Sequence, residues 1–211
     1  MLPEVLFAPL LALLFALLLA PAPAAAQPAG HPNLNAQLLI AARLGDQQAV
    51  ERLLGQGAAP NSRNRLGKTA LLIAAEQGRT ALVERLVKAG ADINLASLEG
   101  VTPLMAACYG GHLAIARTLL GAGARTEPLD RMHKPAIVYA AGQGRAELVA
   151  ALVDAGVPAN TAYEHQLTAL MWAAGQGHAD TVSTLLAKGA DAGLRDDRGL
   201  TARDIALQAG H

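Results

Sequence analysis

A single cysteine in 211 residues excludes a disulfide scaffold and a cysteine-based zinc site. Aromatic residues make up only 3% of the chain. Both phenylalanines, Phe7 and Phe15, lie in the first twenty residues, so the remainder has only Tyr109, Tyr139, Tyr163 and Trp172. A sandwich or doubly wound core normally leans on large rings, whereas this core must be built from Leu, Val, Ile and Ala. Neither sign of charge dominates, with 17 basic residues against 17 acidic ones. That balance gives no electrostatic reason for nucleic acid or an anionic membrane to be the main partner. A hydrophobic content of 52% with 16% charged residues also excludes a disordered chain. No Asn-x-Ser/Thr acceptor occurs, and no glycine cluster forms a phosphate-cradling pattern at the opening of a helix.

The long apolar run is at the start. Val5 to Ala20 is almost wholly apolar, and Pro21 to Gln27 follows it with Ala24-Ala25-Ala26 inside. An apolar stretch closed by small residues has the layout of a secretory signal peptide. The expected signal is 1–26, with cleavage near Ala26-Gln27 and 27–33 as a short linker. No Lys or Arg precedes the run, and Glu4 lies there instead. The competing reading is a retained anchor, because sixteen apolar residues approach the lower limit for spanning a bilayer; the lack of basic flanks favours cleavage. Removing 1–26 takes away Glu4 and leaves a formal charge of +1. The mature chain is thus expected in a periplasmic or secreted, oxidising setting, without stable membrane insertion and as a monomer.

The rest of the chain repeats. Thr69-Ala-Leu-Leu-Ile-Ala-Ala-Glu-Gln-Gly78 returns as Thr102-Pro-Leu-Met-Ala-Ala-Cys-Tyr-Gly-Gly111, and again from Thr168 and Thr201, with Pro135 in the remaining threonine position. One further period upstream reaches Ala36, so units start near 36, 69, 102, 135, 168 and 201. Two columns run through all six: Ala41, Ala74, Ala107, Ala140, Ala173 and Ala206, and Gly45, Gly78, Gly111, Gly144, Gly177 and Gly210. Each unit reads as two helices. A threonine caps the first, and a glycine able to adopt the left-handed conformation ends it. A second apolar stretch closes on another glycine, and about ten polar, turn-rich residues follow. Such short helices do not persist alone in water, so they must stack on one another.

Period 33, Thr102-Pro-Leu104, Gly111-His112 and Gly-Ala-Asp at 90–92 and 189–191 resemble ankyrin repeats. The resemblance covers 34–211. It implies an all-α solenoid of helix pairs joined by β-hairpin fingers, five full units and a half-unit C-terminal cap. His133 and Gln166 stand where Gly67, Gly100 and Gly199 sit in the other fingers, so those two hairpins are expected to turn differently. At the ends, Asn35 is read as a cap of the first helix, and Arg203 and Asp204 as a polar C-terminal face.

No catalytic set emerges, and an enzyme is not expected. Cys108 follows the alanine column, where other units have Ala42, Ala75, Ala141 and Ala174, and so reads as a small core residue. His112, His178 and His211 follow the glycine column, where the resemblance implies loop-supporting hydrogen bonds. His133 and His165 lie on adjacent fingers but lack a third metal ligand. The basic finger Arg63, Arg65, Lys68 reads as a solvated hairpin. No cofactor or metal site is therefore expected. The favoured function is a non-enzymatic scaffold binding a protein partner; the alternative is a metal- or cofactor-binding accessory factor in periplasmic redox or stress defence. Positions that vary between units are the ones free to encode a partner. They are Leu98, Glu99, Val101, Leu129, Arg131, Met132, Lys134, Glu164, His165 and Leu167 on the fingers, with Tyr109 at the end of a first helix.

Overall fold

The computed structural model describes residues 32–211; the expected signal peptide and most of the linker lie outside that range. Helices α1 (Pro32–Leu44) and α2 (Gln47–Gly55) form the first pair. They are followed by α3 (Ala70–Glu76) with α4 (Thr80–Lys88), and α5 (Pro103–Gly110) with α6 (Leu113–Gly121). Then come α7 (Ala136–Gly142) with α8 (Ala146–Asp154), α9 (Ala169–Gly175) with α10 (Ala179–Ala187), and α11 (Ala202–Ala209). Each first helix packs on the first helix of the next unit and on its own second helix, so the chain builds an all-α solenoid.

The repeated columns explain the elements. The hydroxyls of Thr69, Thr102, Thr168 and Thr201 accept the N–H of Leu72, Met105, Met171 and Asp204 at 3.1–3.3 Å. Pro135 occupies the same place without a side-chain cap. Ala74, Ala107, Ala140 and Ala173 are wholly buried, so adjacent first helices come close. Around them the larger side chains Leu71, Leu104, Leu86, Leu119 and Leu152 are buried in one continuous core. Each such side chain contributes about 1.5–3 kcal/mol when fully removed from water. Cys108 is buried at the same level as its alanine neighbours.

Asn35 is not a helix cap. Helix α1 begins before it, and the Asn35 Oδ1 accepts the Ala59 N–H at 2.8 Å. The same kind of tie recurs along the loops. Asn61 accepts from the Asp92 N–H, Asn94 from Arg125 and Asn160 from Asp191. The missing step falls at Glu127, which faces Pro158 in the register, a residue with no N–H to donate.

The fingers differ from the implied β-hairpins. No strand is present among the described residues. Each finger is a turn closed by two backbone bonds. The head N–H donates to the carbonyl four residues on, from Asn64 to Lys68, Ser97 to Val101, Asp130 to Lys134, Tyr163 to Leu167 and Asp196 to Leu200, and the head carbonyl accepts the N–H three residues on. Side chains at the head of the turn staple it. Asn64 Oδ1 accepts the N–H of Leu66 and Lys68, Asp130 Oδ1 those of Met132 and Lys134, and Asp196 Oδ1 those of Arg198 and Leu200. This staple holds the third finger in the common shape, so His133 takes the left-handed φ of 52° that glycine takes elsewhere. The third finger therefore does not depart as expected. The fourth does. Tyr163 replaces the staple, and Glu164–Gln166 form a 3-10 turn with His165 and Gln166 both left-handed.

Candidate protein-binding groove

Adjacent fingers are tied edge to edge, by the Leu98 N–H to Leu66 O, Arg131 N–H to Glu99 O and Asp197 N–H to His165 O. Among the described residues no equivalent bond joins the third and fourth fingers. Two hollows open where that tie is missing. One, of about 200 Å³, lies between the fingers and is lined by Met132, His133, Glu164, His165 and Leu167. The other, of about 190 Å³, lies over the ends of α7 and α9 and is lined by Tyr109, Tyr139, Gly142, Gln143 and Gln176. Lys134, Val138 and Trp172 border both.

All four aromatic residues outside the N-terminal run face this groove. Tyr139 and Trp172 occupy the same place in successive units, where others have Ile40, Ile73, Ala106 and Ile205. Tyr109 meets Tyr139 edge to face, with ring centroids 5.9 Å apart and planes at 85°, a favoured aromatic geometry. Tyr109 remains 56% exposed. The Lys134 ammonium lies 4.4 Å from the centre of the Trp172 ring, within cation–π range. Tyr139 donates its phenolic hydrogen to Asp130 Oδ2. Burial, then that bond and the Asp130 charge, push the Tyr139 phenol well above its ordinary value. Burial likewise raises Tyr163.

The structure sorts the expected contact residues into two sets. Tyr109, Met132, Lys134, Glu164, His165 and Leu167 line the two hollows. Leu98, Glu99 and Val101 lie off them on the second finger, and Leu129 and Arg131 belong to the third finger but stand outside the hollows. Leu98 and Leu129 are exposed and Val101 is half-buried. Glu99 and Arg131 pair with each other across the fingers at 3.1 Å. The two finger histidines each turn to an acid on the next finger, His133 to Glu164 at 3.8 Å and His165 to Asp197 at 2.9 Å. Among the described residues no three His, Cys, Asp or Glu side chains converge as a metal-ligand set. Residue types alone did not point to Tyr139, Trp172 or Asp130. The available signal was positional, two rings 33 residues apart in a column otherwise filled by aliphatic residues.

The other candidates are occupied by the fold. Arg63 donates to the Gly67 and Ala96 carbonyls, and Lys68 pairs with Glu76 at 2.8 Å. A hollow of about 660 Å³ beside Arg63, Arg65, Ile40 and Ile73 lies at the N-terminal end, away from the aromatic side chains. His178 Nε2 lies 3.1 Å from the Gly142 carbonyl oxygen, the loop-supporting contact implied by the resemblance. Burial pushes the Cys108 thiol up to about 12.

The family model for ankyrin repeats (3 copies) matches residues 38–130 and 127–196. The chain therefore belongs to the ankyrin repeat family, whose arrays generally serve as protein–protein interaction modules. No protein among those with curated descriptions matches the chain.

Proposed function

We propose that this chain is an exported, non-enzymatic scaffold that captures a protein partner in the groove between its third and fourth fingers. The supporting observation is the placement of the rings. A chain with 3% aromatic residues puts every one of those described along one groove and leaves Tyr109 mostly exposed. Aromatic anchors beside charged residues are the composition of binding hot spots. The exported location is supported by the apolar run and Ala24-Ala25-Ala26.

The test is capture from the native compartment with wild type and a Tyr109→Ser, Trp172→Leu variant. Loss of a stoichiometric partner with unchanged thermal unfolding is expected; equal recovery by both proteins would refute the groove. For export, mature protein beginning at Gln27 in the periplasmic or secreted fraction is expected. Material beginning at Met1 in the membrane fraction would overturn that half of the reading.

A further inference from the structure

The repeat register supplies its own comparison for the groove. Lysine stands immediately before the first-helix cap position in two units, as Lys68 and Lys134. In the earlier unit the residue eight places on is Glu76, and its carboxylate meets Lys68 Nζ at 2.8 Å. In the later unit the corresponding residue is Gly142. The acid is gone, and the hollow of about 190 Å³ opens beside Gly142. A Cβ built on Gly142 would meet nothing nearer than Trp172 Cε3, at 3.9 Å.

Lys134 has no carboxylate within 4.0 Å among the described residues. It rests on Trp172, half-buried, at the border of both hollows. The acids nearby face elsewhere. Asp130 receives the Tyr139 hydroxyl and the N–H groups of Met132 and Lys134, and Glu164 faces His133. A wholly apolar partner docking here would desolvate an unpaired ammonium, which costs heavily. A carboxylate above Gly142 would restore in trans the pair that Lys68 and Glu76 make in cis.

We infer that the partner inserts a glutamate or aspartate side chain into the hollow over Gly142, where its carboxylate accepts from Lys134 Nζ and its stem lies against Tyr109, Tyr139 and Trp172. This rests on the protein-binding reading above and specifies the chemistry of the partner. Gln143 and Gln176 on the rim supply amides for the flanking peptide backbone.

Trp172 is the only tryptophan, so its fluorescence reads the groove directly. The probe is the capped peptide acetyl-Leu-Glu-Leu-amide, titrated onto the whole chain against its glutamine counterpart. The glutamate peptide should bind about fivefold more tightly, the preference a partly exposed ion pair can confer. Lys134→Met should erase that preference. Gly142→Glu, which retains Lys134 and fills the hollow with an acid from within, should also erase it, whereas Lys68→Met should leave it intact. Equal affinity for the two peptides on wild type would overturn the inference, as would a preference that survives either groove variant. So would the absence of a saturable signal up to about 10 mM, the weak end of peptide affinities. Equal saturable binding of both peptides removes the carboxylate but leaves the groove as a binding surface. Equal recovery of the partner by wild type and the Tyr109→Ser, Trp172→Leu variant removes the surface itself.

Discussion

Tyr139 and Asp130 are joined by a hydrogen bond that ties helix α7 to the finger preceding it. The same carboxylate closes that finger by accepting the N–H groups of Met132 and Lys134 at 2.9 and 2.8 Å. One side chain therefore positions both an aromatic wall of the groove and the backbone that presents Lys134.

Replacing Asp130 should separate those roles. Asp130→Asn keeps the amide oxygen that Asn64 uses for the same turn, so thermal unfolding should move little. Asp130→Ala leaves two backbone donors without their acceptor, at a cost of about 1–3 kcal/mol. Burial is the main cause holding the Tyr139 phenol up, with the Asp130 bond and charge adding to it. A phenol raised in the folded state stabilises fully below the ordinary value of 10.0 and loses that contribution as pH rises beyond it. Spectrophotometric titration should show two tyrosines, Tyr139 and Tyr163, ionising late in wild type, and one of them ionising earlier in Asp130→Asn.

Cys108 should be inert and intolerant of bulk. Its thiol is fully buried and raised to about 12 by burial, so alkylating reagents at mildly alkaline pH should label it only after unfolding. Cys108→Ala should cost roughly 1 kcal/mol or less, whereas Cys108→Phe overpacks the layer and should cost at least about 1–3 kcal/mol. Equal melting temperatures for the two variants would contradict the packing.

The C-terminal unit should be the acid-sensitive one. Burial works to raise Asp196, but N–H groups of Leu200 and Arg198 and the Arg198 guanidinium outweigh it and hold the carboxyl below its ordinary value. The Thr201 N–H and hydroxyl do the same for Asp204. Carboxyls held down in the folded state stabilise above the ordinary value of 3.8 and lose that contribution as pH falls below it. Hydrogen exchange should show α11 opening before α5 as pH falls below 3.8. The Asp196→Asn, Asp204→Asn variant should lose that pH dependence.

Two glycines of similar φ should respond differently to alanine. Gly144 and Gly189 are both left-handed, at 68° and 86°, so alanine at either should cost about 1–2 kcal/mol in backbone strain. A Cβ at Gly144 would also lie 2.7 Å from His178 Nδ1, while nothing lies within 4 Å at Gly189. Gly144→Ala should therefore be worse by about 1 kcal/mol, the worth of the displaced His178 bond to the Gly142 carbonyl. Adding His178→Ala to each variant should erase that difference.

Much of the fold was legible because packing repeats its demands. The alanine and threonine columns mark where helices touch and begin, and Leu53, Leu86, Leu119 and Leu152 mark the second helices. The first helix was misplaced because Asn35 resembles a cap, whereas its partner Ala59 is 24 residues away and leaves no local trace. The fourth finger was flagged by Gln166, but its shape also depends on the staple lost at Tyr163, a residue read only as a sparse aromatic. The groove was half legible. Variability between units brought out Lys134 and Tyr109, while Tyr139 and Trp172 were read only as sparse aromatics and their shared column, with Ile40, Ile73, Ala106 and Ile205, went unused.

Two interruptions fall at one joint. The loop tie fails between Glu127 and Pro158, and the finger tie fails between the third and fourth fingers, so the stretch from Glu127 through α8 shares neither bond with the stretch from Pro158 through α10. They are held by helix packing, by Lys134 on Trp172, by His133 facing Glu164 and by His178 on Gly142. In a solenoid, where stability is roughly a sum of units and their shared faces, this is the seam. Pulled by its ends, the array should part there first, shedding α9 to α11 as one block. A partner seated across Lys134 and Trp172 would act as a clasp, raising the force at which that block comes away.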